Sequence, residues 1–225
     1  MARLKKNQLF FTGKSKSFEA EKIRSAQVSL QFSLSTLEKA QTIMFTSANK
    51  GEGKTFCISN VAKEYAKQGK KVLLVDLDLH RPRLSQAIAP REQGGLMNAI
   101  CDVSSVDDQI IALGDENLFF LPTGLLPANP LEIVSAGLLV PLFSKLEEWF
   151  DMIFIDTPPV RVLSDGRMIA TLCDGVVFVV RSGVTKLHEV EEAKAHIENT
   201  GIPIIGGILN GQSYNKKEKN TYAYY

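Results

Sequence analysis

Residues 46–56 read TSANKGEGKTF, and this stretch decides the fold. It follows the apolar run Ile43-Met44-Phe45 and precedes a helical pattern that extends to about Gln68. Strand, glycine-rich loop, Lys-Thr and helix, in that order, make a phosphate-binding P-loop. Gly51 and Gly53 lack Cβ atoms, so the backbone N–H groups of the loop, with those of Glu52 and Phe56 among them, can close around phosphate oxygens. Lys54 brings a point charge to the β- and γ-phosphates. The Thr55 hydroxyl can ligate Mg²⁺, and the helix that starts there points its positive end at the anion. The pattern usually opens with glycine; here Ala48 holds that place.

Working outward, 225 residues with 44% hydrophobic content allow one substantial core. A formal charge of +1 gives no field for nucleic acid or acidic lipid. Cys57, Cys101 and Cys173 are far apart and set among apolar residues, which predicts buried thiols in a reduced cytosol and no metal site. The basic start, MARLKKNQLFF, is interrupted by Thr12, Gly13 and Lys14 before a signal-peptide core can form. No apolar run approaches the roughly 20 residues that span a bilayer. The expected location is cytoplasmic, with any membrane role exercised through a partner.

The expected organisation is a loose basic arm over residues 1–16, an ATP-binding domain over 17–211 and a mobile tail over 212–225. Ser17 can cap a helix reaching about Leu37, with Glu19 and Glu21 in its first turn and Ile23, Ala26, Leu30, Leu34 and Leu37 on one face. Residues 71–76, KVLLVD, read as a strand covered on both faces. Short helical pieces follow over 92–116, then strands at 118–121, 152–156, 175–180 and 203–209, alternating with helices at 131–150, 165–172 and 186–199. That alternation predicts an α/β fold: a doubly wound, mainly parallel sheet with helices on both faces, of the P-loop NTPase kind. Ligands in such sheets bind outside the C-terminal ends of the strands, where the P-loop sits.

Two further strands end in acids at that edge. VLLVDLDLHRP supplies Asp76 and Asp78, and MIFIDTPP supplies Asp156. An Asp leaving an apolar strand beside a P-loop suits Mg²⁺, held directly or through its water shell. Arg181, just after an apolar strand, is a phosphate candidate. Arg81 and Arg83 read equally well as phosphate contacts or as solvated surface. His80, His188 and His196 are scattered, with no expected chemical part, and Trp149 and Phe150 read as core.

Together these elements resemble the bacterial tyrosine kinases (BY-kinases) of capsule and exopolysaccharide synthesis. The P-loop, VLLVDLDLHRP and FIDTPP are similar to that family's Walker A, A′ and B motifs. GLLPANPLE at 124–132, Ser164-Asp165, VVRSGVT at 179–185 and GILN at 207–210 match further family stretches. The resemblance implies a stand-alone, ATP- and Mg²⁺-dependent protein-tyrosine autokinase. It implies that Asn210 contacts adenine, that Asp76 orients the acceptor hydroxyl and takes its proton, and that Asp78 and Asp156 arrange Mg²⁺ with Thr55. Tyr214, Tyr222, Tyr224 and Tyr225 are the implied phosphoacceptors: four of the five tyrosines lie in the last twelve residues. Implied partners are a transmembrane activator of the polysaccharide chain-length type, a cognate tyrosine phosphatase and further copies of the chain, with no nucleic acid.

The chain also departs from the family. The subunit-joining E-x-x-R-x-x-R motif reads Glu21, Arg24, Gln27, which predicts a weaker oligomer. His80 replaces a usual arginine. Asn49 stands where partitioning ATPases of the same superfamily carry a signature lysine, which argues against a ParA/MinD-like dimeric switch. A nucleotide-binding regulatory subunit with little kinase activity is a third reading.

Overall fold

The computed structural model describes residues 9–12, 17–37, 41–89, 94–114 and 117–215. Its chain runs α1 (Phe18–Leu34), β1 (Thr42–Thr46), α2 (Lys54–Lys67), β2 (Val72–Asp76), α3 (Arg83–Ile88) and α4 (Leu96–Cys101). A 3₁₀ turn (Val103–Gln109), β3 (Ile111–Ala112), β4 (Leu118–Leu121), α5 (Pro130–Ser135) and α6 (Leu139–Trp149) come next. The rest is β5 (Met152–Asp156), α7 (Asp165–Ala170), β6 (Gly175–Arg181), α8 (Leu187–Glu198) and β7 (Ile204–Asn210).

Among the described residues the strands form a seven-stranded sheet in the order β3-β4-β2-β5-β1-β6-β7. Every pairing is parallel except β3 with β4. The three central strands β1, β2 and β5 are buried at every position, as a sheet covered on both faces requires. Alternate residues feed two cores. Met44, Leu73, Val75, Ile153 and Ile155 pack under α4 to α8. Ile43, Phe45, Val72, Leu74 and Phe154 pack under α1, α2 and α3. The connection after β1 leads to β2 on one side, and that after β5 crosses β1 to reach β6. This reversal opens a crevice at the carboxyl end of β1.

Several local expectations are corrected. The helix α3 and the short strand β3 were not expected; each spans only a few residues, too short for periodicity to register. Cys57 and Cys173 are buried, whereas Cys101, at the last turn of α4, is exposed. The described part of the basic arm is not loose: Leu9 is buried, and Asn60 of α2 clamps its backbone. The Asn60 amide donates to the Leu9 carbonyl (2.9 Å) and its oxygen accepts from Phe11 N (2.7 Å).

Ser17 does cap α1, accepting from Ala20 N at 3.2 Å. Leu30 and Leu34 of the expected face are buried and Leu37 packs beside them, but the same stripe also encloses Gln27, only 1% exposed. Its amide exchanges hydrogen bonds with Gln68, just past the end of α2, at 3.2 and 2.8 Å. A side chain so enclosed cannot reach a neighbouring subunit. Gln27 thus offers a neighbouring subunit no charge where the resembling family has an arginine; within the chain it is a buried polar tie between α1 and α2.

Candidate active site

The P-loop begins where β1 leaves the sheet. Gly51 and Gly53 take φ of 83° and 92°, the left-handed region open to glycine. A Cβ on Gly53 would also lie 2.0 Å from Asn210 Nδ2, so the last strand needs glycine there as well. Among the described residues no non-glycine has positive φ, which explains why Ala48 can replace the usual first glycine.

Two strand ends and the loop after β6 brace the P-loop. Asn210 Nδ2 donates to the Glu52 carbonyl (2.9 Å) and Arg181 Nη1 to the Gly51 carbonyl (2.9 Å). Thr185 Oγ1 donates to Glu52 Oε1 (2.6 Å), which turns that carboxylate back into the protein. Asn210, Arg181 and Glu52, each expected to contact nucleotide, thus lie together, and their observed contacts are within the protein. The other carboxylate oxygen, Glu52 Oε2, is buried with no hydrogen-bond partner. Phe56, at the first turn of α2, is half-buried beside the α1-side core.

The acids converge next to this loop. Asp76 and Asp156 are register partners across β2 and β5, and both are buried. Thr55 Oγ1 donates to Asp156 Oδ2 at 2.7 Å. Asp156 Oδ1 is buried with no hydrogen-bond partner, and such a group normally costs free energy unless something else occupies it. Burial and then the neighbouring Asp156 push the Asp76 carboxyl well above the usual carboxylate range. Burial pushes Asp156 up to about 6, opposed by Lys54 and Thr55. Asp78 is also raised by burial, against its backbone hydrogen bond from Arg81 and the charge of Lys54.

Asp76 is not placed as an open base. Its Oδ2 accepts from Ser85 N and Ser85 Oγ, both at 2.8 Å, and its Oδ1 from Asp78 N at 3.2 Å. The carboxylate is fully enclosed, whereas Asp78 is partly open. Sequence reasoning missed Ser85, because nothing in the eight residues between it and Asp76 signals a turn of helix returning to the strand end. Arg81 and Arg83 have exposed side chains. His80, expected to be idle, holds Asp165 through Nε2 at 2.7 Å.

Among the described residues no group of three or more His, Cys, Asp or Glu side chains could hold a metal alone. Mg²⁺ does not need such a group, since it keeps several waters and is completed by substrate phosphates. Thr55 with the unpartnered Asp156 oxygen, beside Asp76 and Asp78, fits such an ion. A cavity of about 690 Å³ lies apart from these acids, between α1, α2 and β7. It touches the site only through Phe56 and Asn210, so its size is no reason to place the chemistry there.

Arg161, in the loop after β5, was not singled out by any motif. Its Nε and Nη2 donate to Asn49 Oδ1 at 3.2 and 2.8 Å. Nη2 and Nη1 also face Glu189 (3.3 Å) and Glu192 (3.4 Å) on α8. Glu189 is held below the usual carboxylate range by the backbone N–H of Lys186, then by Asn49 and Arg161. The guanidinium therefore ties the P-loop, the loop after β5 and α8 together. Arg161→Ala is expected to cost about 1 kcal/mol, since the guanidinium is partly solvated, or roughly 2–4 °C in Tm for a domain of this size. Differential scanning calorimetry checks this; an unchanged Tm would show that the contacts are energetically silent.

The comparisons with known proteins bear on this geometry. A family model described as an AAA domain matches residues 40–200, more than half of the chain. Tyrosine-protein kinase YwqD of Bacillus subtilis is 31% identical over 224 residues, covering 100% of this chain and 93% of that one. The chain belongs to the bacterial tyrosine-kinase family. Putative tyrosine-protein kinase CapB of Staphylococcus aureus, another relative, is 30% identical over 96% of this chain and 94% of its own. The crystal structure of the chimerical protein CapA2B2 superposes with a TM-score of 0.81 at 29% identity, covering 91% of this chain and 93% of that one. The P-loop NTPase architecture of this bacterial tyrosine kinase family member is thus shared along nearly its whole length.

Proposed function

We propose that this chain is an ATP- and Mg²⁺-dependent protein-tyrosine autokinase that phosphorylates tyrosines of its C-terminal tail and so regulates capsular or exopolysaccharide synthesis. The observation that carries the reading is the buried, unpartnered Asp156 oxygen beside Thr55, at the N-terminus of the P-loop helix. The names of the similar kinases support the same activity.

In this reading the backbone of residues 51–56 and Lys54 bind the triphosphate, and Asn210 borders the base. Mg²⁺, when bound by Thr55 and Asp156, neutralises charge on the β- and γ-phosphates. A tyrosine of pKa about 10 is ionised in about one molecule in a thousand near pH 7. In a loose transition state the attacking oxygen need not be ionised beforehand, so a carboxylate need only orient the hydroxyl and accept its proton late. The resemblance gives this role to Asp76. The enclosed geometry favours the partly open Asp78 for it, with Asp76 fixing the charge and the position of the Asp156 side.

The committed oxygens of Asp76 also lend some weight to the regulatory-subunit reading, in which nucleotide binds but transfer is weak. A partitioning switch is disfavoured, because Asn49, at its signature-lysine position, is tied internally to Arg161. Among the described residues no helix is long and apolar enough to cross a membrane. Recruitment by a transmembrane activator therefore belongs to the proposal, as does self-association through Glu21 and Arg24. Those two are ion-paired along the partly exposed face of α1.

The test mixes two chains, one Lys54→Met with its tail intact, the other active with its terminal tyrosines changed to Phe. Phosphotyrosine is expected on the Lys54→Met chain, rising with total concentration. If that chain stays unlabelled while wild type labels itself at a concentration-independent rate, transfer is within one chain. If nucleotide drives dimerisation with no phosphotyrosine anywhere, the kinase reading is wrong.

A further inference from the structure

The tail was expected to be mobile from Gln212, with Tyr214 as its first acceptor. Residues 212–215 are described, and Tyr214 is half-buried. Its ring meets Phe18, the first residue of α1, edge-on with centroids 4.7 Å apart. The Lys22 ammonium, one turn on, lies 5.2 Å from the Phe18 centroid and 5.3 Å from that of Tyr214. The Tyr214 hydroxyl donates to Gln212 Oε1 at 2.7 Å, a bond that folds it back on its own chain. Four residues earlier, Asn210 is fixed to the P-loop carbonyl of Glu52. The segment leaving β7 is thus tied at both ends, first to the nucleotide loop and then to α1.

Resting on the kinase reading above, we propose that Tyr214 is not a phosphoacceptor but a clasp. It fastens the root of the tail to α1 and restricts transfer to Tyr222, Tyr224 and Tyr225. Each transfer forms a bond from the tyrosine oxygen to the γ-phosphorus as the bond to the β-bridging oxygen breaks; ADP leaves and the phenolic proton passes to a site carboxylate. An acceptor must place its hydroxyl in line with the bond that breaks. Tyr214 can do so only after its ring leaves Phe18 and Lys22. Tyr222, Tyr224 and Tyr225 follow the clasp in sequence and lie outside the described residues. The clasp also shortens the leash. The eleven residues after Tyr214 reach at most about 40 Å, against roughly 50 Å for the fifteen after Asn210. Because α1 also bears Glu21 and Arg24, the clasp links the start of the acceptor segment to the helix proposed to join subunits.

The test compares wild type with Phe18→Ala by two measurements on the full chain. In the first, phosphatase-treated protein is incubated with ATP·Mg²⁺ and site occupancy is read by mass spectrometry. Tyr214 is expected at least tenfold below the distal tyrosines in wild type, and within about threefold of them in Phe18→Ala. The second needs no activity: nitration by tetranitromethane should be at least severalfold faster at Tyr214 in Phe18→Ala than in wild type. Equal labelling of Tyr214 and the distal tyrosines in wild type, or equal nitration of Tyr214 in both proteins, overturns the clasp. Absence of phosphotyrosine at every site, with the nitration contrast intact, sinks the kinase reading and the acceptor assignment with it.

Discussion

Lys54→Met is expected to reduce autophosphorylation at least 100-fold while leaving the fold intact. Lys54 opens the P-loop helix, and its charge acts on both Asp78 and Asp156. In a largely dissociative transfer, charge accumulates on the γ-phosphoryl oxygens and on the leaving oxygen. A preorganised donor aimed there supplies roughly 3–4 kcal/mol, or a factor of 10²–10³. Methionine keeps most of the unbranched stem, which packs in a position only 8% exposed. The variant should therefore melt near wild type and still bind nucleotide, more weakly. A rate within threefold of wild type would mean that Lys54 does not face the transferred group.

The second large effect concerns the paired acids. Asp76 and Asp156 are fully buried register partners, and both are raised by burial. An unfolded aspartate titrates near 3.9. Between that value and the folded one, the native state holds a proton that the unfolded state has lost. The resulting stability is complete below about pH 4 and is lost as pH rises through the folded value, which is about 6 for Asp156. Nucleotide-free protein is expected to lose stability from pH 5 to pH 8 through this pair. Asp76→Asn removes one of the two like charges. It should flatten that loss across the pH range, whatever the offset left by the Ser85 and Asp78 N–H groups that the two Asp76 oxygens accept from. ATP·Mg²⁺ should stabilise wild type more at pH 8 than at pH 5, because the ion meets the ionised pair. Thermal melts across this range check the difference between the two proteins. A wild-type slope that Asp76→Asn leaves unchanged would show that the pair does not titrate as described.

The parts of the molecule that could be read from sequence are those with strong local rules. KVLLVD and MIFID are apolar throughout because both faces of their strands are covered, and their terminal aspartates mark where the chain leaves the core. Gly51 and Gly53 stand where the backbone turns left-handed. Gly137, at φ 70°, splits the helix expected over 131–150 into α5 and α6. What sequence could not supply are pairings across the fold. The tie of Ser85 to Asp76 crosses from a short helix to a strand end. Gln27 faces inward because Gln68 answers its amide, and a polar residue on a helix otherwise reads as surface. Arg161 meets Asn49 across 112 positions. The hold of Phe18 on Tyr214 joins the two extremities of the domain, which no periodicity relates.

The central claim is that this edge transfers phosphate from ATP to tail tyrosines. It is tested most directly by a mass-spectrometric map of phosphosites on phosphatase-treated protein, incubated with and without ATP·Mg²⁺, in wild type and Lys54→Met. The account predicts phosphate on Tyr222, Tyr224 and Tyr225 in wild type only, and only when ATP·Mg²⁺ is present. Wild-type protein saturated with nucleotide yet free of phosphotyrosine, or a Lys54→Met chain labelled on its own to the same extent, would contradict it.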